Sequence, residues 1–190
     1  LRNRRIGCSV SGIAQFITHR GQGELRNWLE SGYDTLQKYD KGYSDWLAVP
    51  RSVKTTSVKP SGTVSLLAGA TPGLHYPESR FYIRRIRLSV NSPLIKPLEK
   101  AGYKIEPAFG SEDSTVVIEV PVDVGEGIRT VSEVPMWEQM ALAAFMQRYW
   151  ADNQVSCTVT FNPETEGPQI ATALNYFQYQ LKGISFLPKL

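Results

Sequence analysis

The chain has 190 residues, of which 42% are hydrophobic and 21% charged, a composition that supports a folded domain with its own core and excludes a disordered or fibrous chain. A formal net charge of +3 and a pI near 8.9 suit an anionic small ligand, whereas the absence of a long basic run argues against a nucleic-acid binder. No apolar stretch approaches the roughly 20 residues of a membrane span.

Cys8 and Cys157 are the two cysteines, and no signal peptide opens the chain. Both are read as reduced thiols in a cytoplasmic protein. The chain starts Leu1-Arg2-Asn3-Arg4-Arg5 without Met and ends Phe186-Leu187-Pro188-Lys189-Leu190 without a polar tail, so both ends are expected to be cuts in something longer.

Residues 6–20 are predicted helical, because Ile6, Val10, Ile13 and Ile17 recur at helical spacing, with Gly7 and Gly12 allowing close packing. A second helix is predicted from about Glu24 to Lys41, with Leu25, Trp28, Leu29 and Leu36 as its apolar stripe. Val53 to Val58 reads as a strand bounded by Pro50 and Pro60. Pro60-Ser61-Gly62-Thr63 interrupts it, and Val64 to Ala68 has short helical character. Two prolines and a glycine make residues 70–77 a loop. Phe81 to Ser89 reads as a strand, Ser92 to Ala101 as a helix ended by Gly102, and Thr115 to Val120 as a strand.

The most regular part is the last. A helix from about Pro135 to Trp150 places Met136, Met140, Ala144 and Phe145 on one face. Val155, Cys157, Val159 and Phe161 alternate with Ser156, Thr158 and Thr160, the period of a strand. A helix from about Pro168 to Leu181 carries Ile170, Leu174 and Phe177, Gly183 ends it, and Ile184 to Leu187 is a further strand. Strand, helix and strand at this spacing form a parallel βαβ unit, so the fold class is α/β. Residues 1–190 are taken as a single segment with no internal repeat.

Pro60-Ser61-Gly62-Thr63 is the strongest candidate site. A glycine lets backbone approach a ligand closely, and a helix start offers N–H groups and partial positive charge to a phosphate. The same residues also fit a plain helix cap, with Ser61 as the capping side chain; the P-loop pattern is absent. Arg84, Arg85 and Arg87 on the following strand fit salt bridges better than ligand contacts. His19, His75, Cys8 and Cys157 have no metal-site spacing, and Cys8 in the first helix and Cys157 on an apolar strand face look structural. Glu78, Glu106, Glu112, Asp113 and Glu119 show no acid–base pairing. No catalytic and no metal residue is assigned.

Three stretches together carry a family resemblance. Asn3-Arg4-Arg5-Ile6-Gly7, leading into Ser11-Gly12-Ile13-Ala14, resembles the helix after the radical-cysteine region of ribonucleotide reductases. Thr55-Thr56-Ser57-Val58-Lys59-Pro60-Ser61-Gly62-Thr63-Val64-Ser65, with Leu74-His75 and Tyr82-Ile83-Arg84-Arg85-Ile86-Arg87, resembles the phosphate loop and next strand of the adenosylcobalamin-dependent (class II) enzymes. Tyr149 to Phe161 and Ser185-Phe186-Leu187-Pro188 complete the match, which is closest to the monomeric form that reduces ribonucleoside triphosphates.

The resemblance implies the later half of a ten-stranded α/β barrel. It implies adenosylcobalamin as radical source, a ribonucleoside triphosphate as substrate, and re-reduction by thioredoxin through a C-terminal cysteine pair. Ser61, Gly62, Thr63 and Val64 would hold the substrate phosphates. The family's Asn-x-Cys-x-Glu pattern and its C-terminal cysteine pair do not occur in this sequence, so the segment is expected to be inactive alone. Two alternatives stay open: the matching half-barrel of a cobalamin-independent reductase, and a standalone nucleotide-phosphate module.

Overall fold

The structure, a computed structural model, describes residues 2–62 and 64–189, with Leu67 described by its backbone only. In chain order its first elements are β1 (Arg5–Ser9), α1 (Ile13–Trp46), β2 (Lys54–Ser57), α2 (Val64–Leu67), β3 (Phe81–Ser89) and α3 (Ile95–Lys100). Then come β4 (Lys104–Pro107), β5 (Thr115–Asp123), α4 (Met136–Tyr149), β6 (Thr158–Phe161), α5 (Ile170–Phe177) and β7 (Ser185–Pro188). They group into two compact units, where the sequence suggested one. Ser79–Gly125 forms the second, and the residues on either side form the first.

The first unit is α/β. β1 pairs in parallel with β2, and β6 pairs in parallel with β7 in the register Thr158↔Ser185 to Phe161↔Pro188. A parallel bridge Val58↔Val155 joins the two pairs, supported by Asn153 N–H to Thr56 O and Ser156 N–H to Val58 O, both 2.9 Å. The strands therefore run β1, β2, β6, β7, and β6–α5–β7 is the parallel βαβ unit that the sequence pattern predicts.

The core of this unit lies between α4 and the strands. Met136, Met140 and Met146 are all fully buried with Val58, Val155 and Val159, and Leu25 and Leu29 of α1 and Phe177 of α5 close over them. Unbranched methionines fill the irregular space that a helix leaves over a twisted sheet. Each such burial stabilises by about 1.5–3 kcal/mol.

Residues 6–9 depart from the predicted helix: they form β1. Gly12 explains the boundary, since it takes a left-handed conformation (φ 73°, ψ 23°) that separates strand from helix. Cys8 consequently lies on an exposed strand, not in a helix. The two predicted helices are one element, with a kink at Gly21 (φ 82°, ψ 163°) where the sequence suggested a break.

The second unit is an antiparallel sheet with β5 between β3 and β4, registered Phe81↔Asp123 to Ser89↔Thr115 and Lys104↔Glu119 to Pro107↔Val116. This part is not assembled from parallel βαβ units. β4, absent from the sequence reading, is a short edge strand whose Lys104 and Glu106 exchange ion pairs with Arg85 and Glu119. No helix among the described residues is long and apolar enough to cross a membrane.

Candidate functional site: the loop after β2

β2 carries Thr55, Thr56 and Ser57, all buried. Buried hydroxyls require partners, and the segment after α4 supplies those of Thr55 and Thr56. Asp152 accepts from Thr55 N–H at 2.9 Å, from Thr55 Oγ1 at 3.0 Å and from the Tyr33 hydroxyl at 2.9 Å. Thr56 Oγ1 donates to Trp150 O at 2.5 Å and accepts Asp152 N–H, while Trp150 Nε1 donates to Ser57 O at 2.9 Å. Burial pushes the Asp152 carboxyl up, but the Thr55 N–H, the Tyr33 and Thr55 hydroxyls and nearby Lys54 outweigh it and hold the group below the usual carboxylate range.

Beyond Val58 the chain turns sharply. Ser61 N–H donates to Lys59 O at 2.9 Å and Gly62 N–H to Pro60 O at 2.7 Å, two successive three-residue turns. Pro60, with φ fixed near about −65°, suits the centre of the first. α2 follows at once, with Ser65 N–H and its hydroxyl both donating to Ser61 O. Two other segments brace the turn. From the end of β1, Ser9 Oγ accepts Lys59 N–H at 3.0 Å, and from the β1–α1 connection Ser11 Oγ lies 2.9 Å from Ser61 Oγ. From the loop after α2, Thr71 O and Gly73 O accept the N–H groups of Gly12 and Ile13 at the start of α1. Gly73 has φ +54°, and a Cβ there would stand 2.5 Å from Lys59 O, so only glycine fits.

Ser61 and Gly62 are thus half-buried in one clasp, and Val64 is 69% exposed at the first turn of α2. Thr63 lies outside the described residues. The expectation that the loop N–H groups stand free does not hold for Gly62, whose donor is taken by Pro60 O because a three-residue turn brings that carbonyl closest.

His75 anchors the far side. Its Nδ1 lies 3.3 Å from Pro72 O and its Nε2 accepts Thr158 N–H at 3.2 Å, which assigns a neutral ring protonated at Nδ1. Burial pushes its pKa down, against the raising effect of the Pro72 carbonyl. Arg85 makes ion pairs with Glu106 and Glu119, as the salt-bridge reading anticipates. Cys8 and Cys157 are free thiols, and burial pushes the Cys157 thiol up to about 12. No group of three His, Cys, Asp or Glu that could hold a metal ion occurs among the described residues.

No protein-family profile matches this chain. An adenosylcobalamin-dependent ribonucleoside-triphosphate reductase of Euglena gracilis is 65% identical over 189 residues, covering 100% of this chain and 26% of that protein. A probable reductase of the same kind in Dictyostelium discoideum is 63% identical over 189 residues, covering 99% of this chain and 25% of that protein. The chain is homologous to part of an adenosylcobalamin-dependent ribonucleoside-triphosphate reductase. A crystal structure of a B12-dependent (class II) ribonucleotide reductase superimposes with a TM-score of 0.82 at 34% identity, covering 100% of this chain and 30% of that one. The chain therefore spans about a quarter of the length of the relatives it matches.

Ser9, Ser11, Gly73 and His75 were not singled out as site residues by sequence reasoning. Each has a partner 50 or more positions away, and no local pattern signals such pairings. Only Pro72-Gly73 carried a turn signal.

Proposed function

We propose that this chain is a segment of a longer adenosylcobalamin-dependent reductase that converts ribonucleoside triphosphates to 2′-deoxyribonucleoside triphosphates, and that it supplies the loop gripping the substrate phosphates. The 65% identity along the whole chain carries the reading. In it the segment forms the later part of the catalytic barrel, to which the parallel order β1, β2, β6, β7 is suited.

Ser61, Gly62, Thr63 and Val64 bind the phosphates through backbone N–H groups and the two hydroxyls. Binding requires the Ser61 and Gly62 N–H groups to leave Lys59 O and Pro60 O, each exchanging a neutral bond for a charge-assisted one worth about 1.5–3 kcal/mol. The clefts along α1 measure about 370 Å³ or less, at the low end for a drug-sized ligand and far short of a corrin. The adenosylcobalamin contacts, and the radical step, are assigned to the rest of the enzyme. Re-reduction by thioredoxin is likewise assigned to cysteines elsewhere, because Cys8 and Cys157 are not the C-terminal cysteine pair that the resemblance implies, and Cys157 is buried.

The test is Gly62→Val and Thr63→Val in the full-length enzyme. Gly62→Val blocks the approach of phosphate and raises KM for the ribonucleoside triphosphate at least about tenfold, and Thr63→Val raises it by less, with thermal stability little changed in both. Unchanged substrate affinity in Gly62→Val would return the loop to a helix cap.

A further inference from the structure

The β1–α1 connection places a hydroxyl against the loop that the phosphate reading does not use. Ser11 Oγ lies 2.9 Å from Ser61 Oγ, and Gly73 N–H points to it at 3.4 Å. Both serines are half-buried. A serine hydroxyl has one proton to give and two lone pairs to receive with. The Gly73 N–H can only donate, so Ser11 Oγ is the acceptor in that contact. If Ser61 also donated to Ser11, the Ser11 proton would have no partner among the described residues. If Ser11 donates to Ser61, Ser11 is satisfied on both sides and the Ser61 proton is released. A phosphate oxygen, which only accepts, selects this second arrangement.

We infer that Ser11 is a positioning residue: it donates to Ser61 Oγ and so turns the Ser61 proton toward the substrate phosphates. The inference rests on the phosphate-loop reading above. Ser11 touches no substrate in it and acts only through Ser61. It also ties the loop to the start of α1 through Gly73, which lies against Lys59 O.

The experiment uses the full-length reductase, with equilibrium binding of a ribonucleoside triphosphate and of inorganic tripolyphosphate measured beside KM and kcat. Ser11→Ala raises both dissociation constants and KM by about five- to tenfold, the scale of one hydrogen bond, and leaves kcat within about twofold. Ser11→Thr, which keeps the hydroxyl, restores most of the affinity. Ser11→Cys, similar in size but a weak donor, preserves folding and binds like Ser11→Ala, which covers the case in which the alanine variant is unstable. Ser61→Ala weakens binding at least as much, and adding Ser11→Ala to it costs much less than Ser11→Ala alone, because the two act through one hydrogen bond. Unaltered binding in Ser11→Ala and Ser11→Cys beside a weakened Ser61→Ala would overturn the inference alone, as would additive losses in the double variant. Unaltered binding in both Ser61→Ala and Gly62→Val would remove the phosphate-loop reading, and this inference with it.

Discussion

The two ends of β2 are held in different ways. At its start, Thr55 and Thr56 are fully buried, and Asp152, Gln37 and the Trp150 carbonyl meet their polar groups, with Tyr33 donating in turn to Asp152. Beyond its end, residues 59–62 rely on bonds to carbonyls two positions back and on serine hydroxyls from the end of β1 and the connection that follows it. A carboxylate network with several partners is costly to break, whereas a three-residue turn exchanges its single bond easily. The strand is therefore fixed at one end and adjustable at the other, and the adjustable end is the one proposed to meet phosphate.

Breaking the fixed end has the largest expected effect. Asp152→Ala strands the Thr55 N–H and hydroxyl and leaves Tyr33 without its acceptor, costing about 2–3 kcal/mol. A denaturant midpoint shifted by less than a third of that would show the network to be dispensable. Gly73→Ala strikes the brace of the adjustable end. The new methyl meets Lys59 O and the backbone is held at positive φ, so about 1–3 kcal/mol is lost, and nucleotide affinity of the full-length enzyme falls with it.

A smaller effect comes from His75. Its folded pKa is lowered, so the neutral ring that accepts Thr158 N–H contributes stability that is complete above the unfolded value of about 6.5. That contribution is lost as pH falls through the folded value. Denaturation midpoints at pH 7.5 and 5 differ in the native protein, and His75→Gln narrows the difference. An equal drop in both proteins would assign the pH dependence to other groups.

Much of this architecture is legible in the sequence. The period-2 run through Val155, Cys157, Val159 and Phe161 and the helical stripe of α4 identify their elements because one face of each is buried in the core. β1 escapes such reading, since Ile6, Val10, Ile13 and Ile17 keep helical spacing across a boundary that Gly12 sets by conformation. β4 escapes because a four-residue edge strand with alternate charges has no buried face to declare it. At the site, Pro60-Ser61-Gly62 marks the turn, but the clasp around it is tertiary: Ser11 meets Ser61 across 50 positions and Gly73 across 62.

Hydrogen exchange of the full-length enzyme, with and without a ribonucleoside triphosphate, tests the contrast between the two ends most directly. The account predicts that amides of Thr55 and Thr56 are protected throughout, and that those of Gly62 to Val64 exchange readily in the free enzyme and slow at least about tenfold on binding. Loop amides already as protected as Thr55 without nucleotide, or indifferent to it, would contradict an adjustable phosphate loop at the end of a fixed strand.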